Sequence, residues 1–136
     1  MPGPRVFTVD EANAFIPKLE AAFEKMDGLR NEIREAKIKL TALEMIWGRS
    51  VAKDDCPDYQ EGQSLLEAMR SLEEDFQGVI TELGEKGAQV KDLEMGLIDL
   101  YHVRENILVH LCWKRGEAAF EAWHHVDEGY SSREAL

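Results

Sequence analysis

Apolar residues recur in steps of three and four through the first third of the chain: Leu19, Ala22, Met26, Leu29, Ile33, Ala36, Leu40, Leu43 and Trp47. That spacing gathers them on one stripe of a helix and matches the seam of a coiled coil. It predicts a long helix from Pro17 to Trp47, with Gly48 as its stop. Ahead of it, Thr8-Val9-Asp10-Glu11 has the form of a capping box: the Glu11 amide donates to the Thr8 hydroxyl and the Thr8 amide donates to the Glu11 carboxylate. Pro17 disfavours helical geometry at Ile16 and removes one backbone donor. A short opening helix near residues 9–15 is therefore expected, followed by a break or kink. A second stripe, Leu65, Met69, Leu72, Phe76, Val79 and Leu83, predicts a helix over about residues 61–83, closed by Gly84 as a left-handed cap. Residues 49–60 read as a polar loop. Two stripes of matching period joined by one loop define an antiparallel helical hairpin.

The C-terminal part differs in kind. Ile107-Leu-Val-His-Leu-Cys-Trp113 is rich in β-forming residues, and Leu97-Ile-Asp-Leu-Tyr101 is strand-like. A loop at 102–106 would join them as a hairpin. Residues 118–125 favour helix by propensity, but their short spacing after two strands favours a third strand. The expected fold is α+β over one domain, 1–136. A long antiparallel helical hairpin (1–87) packs with a small antiparallel β-sheet of two or three strands (88–136).

All four histidines lie in this C-terminal part, with Cys112. One possible register puts Asp99 opposite His110, so that Leu97, Asp99 and Tyr101 share a face with Leu108, His110 and Cys112. A carboxylate, an imidazole and a thiol on one face can hold a transition metal or carry out acid–base chemistry. His110, between Val109 and Leu111, can equally be a hydrogen-bonded core histidine, and Cys112 a small apolar filler. His124 and His125 are adjacent, so in a strand they face opposite ways. Arg133 can clamp Asp127 or Glu117 in an ion pair, or bind a ligand.

Composition narrows the function classes. The 136 residues carry 27 acids and 16 bases, a net charge of −11, which argues against a nucleic-acid partner. Residues 1–87 hold 18 acids and 11 bases, and residues 88–136 hold nine and five. Most of the excess thus falls on the helical part, and a small anionic ligand at the C-terminal part remains compatible with the charge. No apolar run is long enough to span a membrane. Met1–Phe7 has no apolar leader core, and the two cysteines, Cys56 and Cys112, form no CxxC pair. A reduced, cytoplasmic protein is expected. No phosphate-binding glycine loop, HExxH pair or nucleophile elbow is present.

Several short motifs fall together in order. They are Phe7-Thr-Val-Asp-Glu-Ala-Asn13 with Ile16-Pro17, then Lys91-Asp-Leu-Glu-Met-Gly-Leu-Ile-Asp99, then Leu111-Cys-Trp-Lys-Arg-Gly-Glu117. Trp123-His124 and Asp127 through Gly129-Tyr130 to Arg133 complete the set. In these the chain resembles the bacterial family called domain of unknown function 2203. It departs from that pattern at Leu100, where a Phe is usual, and in the Ala-rich segment before Trp123. The resemblance implies a small bacterial cytosolic protein with helices and a β segment, and no particular activity. It groups Lys91, Asp92, Glu94, Asp99, Cys112, Glu117, His124, Asp127 and Arg133 into one polar site. Within that region, Asp99, His110, Glu117 and His124 are the candidate ligands of a divalent transition metal. The leading expectation is a non-enzymatic binding or assembly module, dimerising through its helical hairpin. The alternative is a small metal-dependent hydrolase using Asp, Glu and His ligands.

Overall fold

The computed structural model describes residues 4–136. Residues 1–3, the start of the segment read for a leader, lie outside the described part. Helix α1 spans Val9–Trp47 and helix α2 spans Tyr59–Glu85. Five strands follow: β1 (Ala88–Asp92), β2 (Leu97–Arg104), β3 (Ile107–Lys114), β4 (Ala122–His125) and β5 (Glu134–Ala135). They form one antiparallel sheet in sequence order. The class is α+β as expected, but the sheet has five strands rather than two or three. The chain divides into two compact units, one made of residues up to Phe23 with Ile80–Leu136, the other of Glu24–Val79.

In the first unit, the capping box forms as read. The Glu11 amide donates to Thr8 Oγ1 at 3.1 Å, and the Thr8 amide donates to Glu11 Oε1 at 2.9 Å. The predicted break at Pro17 does not occur, because Pro17 lies inside a continuous α1. An interior proline costs roughly 3 kcal/mol. Ala12, Phe15, Leu19 and Phe23 are all buried along this stretch. Burying each large apolar side chain contributes about 1.5–3 kcal/mol, which outweighs the one lost hydrogen bond. Gly84 stays helical, and the left-handed residue beyond α2 is Gly87, at φ 96°.

The sheet is a meander, and its tightest turn sets its register. Glu105 and Asn106 both have positive φ, 52° and 65°. A two-residue turn of this hand suits the strand twist and accepts Asn readily at the left-handed position. It replaces the expected five-residue loop and extends β2 from Tyr101 to Arg104. Asp99 therefore pairs with Cys112, and Tyr101 pairs with His110. The anticipated register was two residues away, so the facing pairs change while the membership of each face stands. Ile98, Leu100, Val109, Leu111 and Trp113 fill one face and are at most 1% exposed. Phe23 of α1 and Phe120 pack at a tilt against Trp113, with ring centroids 6.2 and 6.3 Å away. Residues 118–125 become strand only from Ala122, and the Phe120 amide instead donates to the Asn13 side chain at 2.7 Å.

In the second unit, α1 and α2 run antiparallel. Arg30 lies over the Phe76 ring at 5.7 Å, and Trp47 Nε1 donates to Asp58 Oδ2 at 2.7 Å. The stripe is legible in burial: Met26, Leu29, Ala36 and Leu40 are buried, while Leu65, Met69, Leu72 and Phe76 are half-buried. Gly48 takes φ 60° at the end of α1, as its stop position required. The segment read as a polar loop starts instead with a 3₁₀ turn over Gly48–Ala52.

Candidate functional site

The second face of the sheet is polar and buried. The alternation of β2 places Asp99 and Tyr101 on it, that of β3 places His110 and Cys112 on it, and the β3–β4 pairing of His110 with His124 adds His124. Gln89 of β1 pairs with Asp99 and joins the same row. Asp99, His110 and His124 are 3, 4 and 1% exposed, and Cys112 is 1% exposed. Burying such groups costs free energy unless each finds a partner.

The partners form a chain across the sheet. His124 Nδ1 lies 2.8 Å from the carbonyl oxygen of His125, and His124 Nε2 lies 3.0 Å from Asp99 Oδ2. His110 Nδ1 points at the same carboxylate oxygen from 3.5 Å but makes no hydrogen bond. On its other side, His110 Nε2 is 3.5 Å from Gln89 Nε2, and the Tyr101 ring centroid is 4.7 Å from its own. The His110 and His124 rings meet edge-on at 5.2 Å. One ligand atom each from Asp99, Cys112 and His124 can be chosen so that all lie within 4.8 Å of one another.

Electrostatics follow from this burial. Desolvation pushes His110 below the ordinary histidine pKa; the Asp99 carboxylate opposes this, and His124 and Lys91 add to it. Desolvation and the Asp99 charge together push the Cys112 thiol up to about 11, although the Arg133 guanidinium pulls the other way. An open cleft of about 620 Å³, bordered by Arg5, Gly87, Gln89 and Tyr101, reaches the two side chains that flank His110.

The other expected site residues lie beside this row. Glu117 is in the turn after β3 and binds Arg133 through two contacts, 3.1 and 2.9 Å, while accepting from the Lys114 amide at 2.7 Å. It is thus paired with Arg133 rather than with Asp99, His110 or His124. Asp92 accepts from the Met95 amide at 2.8 Å and shapes the β1–β2 turn. Lys91, Glu94 and Asp127 are exposed. Sequence reasoning missed Gln89, although Ala88 and Val90 alternating with Gln89 and Lys91 carry the period of a strand.

These features define an α+β protein with an antiparallel helical pair, a five-stranded meander, and a buried carboxylate–imidazole–thiol row on one sheet face. Residues 5–136 match the family model described as "Uncharacterized conserved protein (DUF2203)", and the chain belongs to that family. No curated protein and no solved structure matches it. Among the described residues, no helix is long and apolar enough to cross a membrane.

Proposed function

We infer that the chain is a non-enzymatic binding module whose ligand is a cation held on the polar face of the sheet. The observation that carries this reading is the double contact of His124. The His125 carbonyl can only accept, so His124 Nδ1 carries the hydrogen. A neutral ring then presents a bare lone pair at Nε2, 3.0 Å from a carboxylate oxygen. Two acceptors hold that distance only with a positive charge between them, either a proton or a metal ion. The ring orientation is the one that metal-binding histidines adopt, with the second nitrogen donating to a carbonyl.

The burial of the donors favours binding over catalysis. A catalytic metal keeps one coordination position open to substrate, whereas a closed set of protein ligands serves structure or storage. With donors at 1–3% exposure, the hydrolase alternative has less support than the binding reading. Both cysteines are free, which suits a reducing, cytoplasmic setting. Within the helical unit, the half-buried α2 stripe and the exposed Ile38, Met45 and Ile46 support assembly through a second copy of this chain.

Chelator-treated full-length protein, titrated with magnesium, calcium, manganese, cobalt(II) and zinc, tests the reading by calorimetry and melting temperature. Binding of at least one ion, abolished in Asp99→Asn, is expected. Absence of heat and of any melting shift with every ion would leave the bridging charge as a proton and defeat the proposal.

A further inference from the structure

We propose that Asp99, Cys112 and His124, completed by His110, form a closed four-ligand site for a divalent ion of the zinc class. The proposal rests on the cation-binding reading above and names the ion. Four observations carry it.

The first is the donor set. One carboxylate, one sulfur and two imidazoles match the mixed oxygen, sulfur and nitrogen ligands that zinc and cobalt(II) accept in a tetrahedron. Magnesium and calcium need six or more oxygens, and this row offers a single carboxylate. The second is charge. An ionised Asp99 and a Cys112 thiolate with two neutral imidazoles sum to −2, which a divalent ion cancels, so no net charge is left buried.

The third is geometry. The Asp99, Cys112 and His124 ligand atoms lie within 4.8 Å of one another. Ligand atoms around a tetrahedral zinc at its usual bond lengths sit roughly 3.3–3.8 Å apart, so the set closes with a contraction of about 1 Å. The fourth is His110, which lies outside that compact set of three and joins it by a side-chain movement. Its Nδ1 is buried, lacks a hydrogen-bond partner, and is aimed at the Asp99 oxygen from 3.5 Å. A neutral ring with Nε2 protonated leaves Nδ1 free to coordinate. Turning the Gln89 amide over supplies an oxygen for that Nε2 hydrogen.

The surroundings fit the same role. Glu117 holds the Arg133 guanidinium at 3.1 and 2.9 Å, and that cation acts on Cys112 to lower its pKa. A positive charge beside the sulfur favours the thiolate form that binds metal. Coordination forms the metal–sulfur bond and breaks the S–H bond, with that proton leaving to solvent. Any proton bridging Asp99 and His124 leaves by the same exchange. The cleft that ends at Gln89 and Tyr101 gives the ion a way in beside His110.

Cobalt(II) added to the chelator-treated full chain tests the assignment. One equivalent should produce a thiolate-to-cobalt charge-transfer band in the near ultraviolet and the intense visible bands of a four-coordinate ion. Zinc should bleach both. Cys56→Ser should keep the charge-transfer band, and Cys112→Ser and Cys112→Ala should lose it. His110→Gln should weaken affinity at least tenfold and alter the visible bands. Cobalt binding by the wild type without a charge-transfer band overturns the site while leaving cation binding intact, and this readout needs no variant to fold. A band that survives in folded Cys112→Ala overturns it as well. Failure of every ion to bind defeats the cation reading itself.

Discussion

Asp99 on β2 and His124 on β4 meet through Oδ2 and Nε2 at 3.0 Å, although a whole strand, β3, lies between their backbones. The contact is diagonal: Asp99 pairs with Cys112, and His124 pairs with His110 two residues along β3. Long side chains reach across such a diagonal, and here they do so within a buried layer.

Breaking the pair on one side should be costly. Asp99→Ala leaves a buried imidazole without its carboxylate and is expected to destabilise the fold by about 3–5 kcal/mol. Asp99→Ala with His124→Ala should cost less than the sum of the single changes, because neither partner is then left alone. Urea unfolding of the four proteins measures the coupling. Strict additivity would show that the two side chains do not act as a pair.

Cys112 should be unreactive in the native state. Its thiol is 1% exposed, and burial with the Asp99 charge holds its pKa at about 11. Thiolate is the reacting form, so alkylation at neutral pH should be slow until the protein is unfolded. Mass spectrometry after timed treatment with iodoacetamide distinguishes Cys112 from Cys56. Rapid labelling of Cys112 in folded protein would contradict the burial.

The Glu117–Arg133 clamp should give a defined acid dependence. Burial tends to raise the Glu117 pKa, but Arg133 and the Lys114 amide outweigh it and hold the carboxyl below 4.5. A carboxylate with a lowered folded pKa stabilises fully above its unfolded value and loses that contribution as pH falls through the folded one. Glu117→Gln should therefore cost roughly 1–2 kcal/mol at neutral pH. The difference from wild type should shrink as pH drops below about 4.5. Melting temperatures of both proteins across that range provide the check.

Pro17 should be a removable burden. It is exposed and interior to α1, so Pro17→Ala removes little core packing and restores an amide donor to the helix. A stabilisation of about 1–2 kcal/mol is expected, less than the full cost of an interior proline because the proline also restricts the unfolded chain. Chemical denaturation measures it, and a loss of stability would mean that the local geometry is built around the ring.

The helical unit should self-associate if its half-buried stripe is covered by a second copy. Light scattering at micromolar concentration should then report twice the monomer mass. Ile38→Glu with Met45→Glu, both at exposed positions, should return it to one. A monomeric wild type would remove assembly from the proposal.

What the sequence determined by itself is what depends on near neighbours in the chain. The capping box, the Gly48 stop and the stripes from Leu19 to Leu40 follow from helical period and local hydrogen bonding. The sharing of one face by Asp99, Tyr101, His110 and Cys112 follows from strand alternation, which survives an error of two in register. The tertiary structure decided the rest. A two-residue turn at Glu105–Asn106 set the pairing of Asp99 with Cys112. Buried aromatic and aliphatic side chains carried α1 through Pro17. The addition of β4 brought His124 to Asp99, and the return of the tail took Glu117 to Arg133. Such contacts join residues 16–25 positions apart, and no local period encodes them; they are fixed only when the strands close their hydrogen bonds and both faces of the sheet are buried.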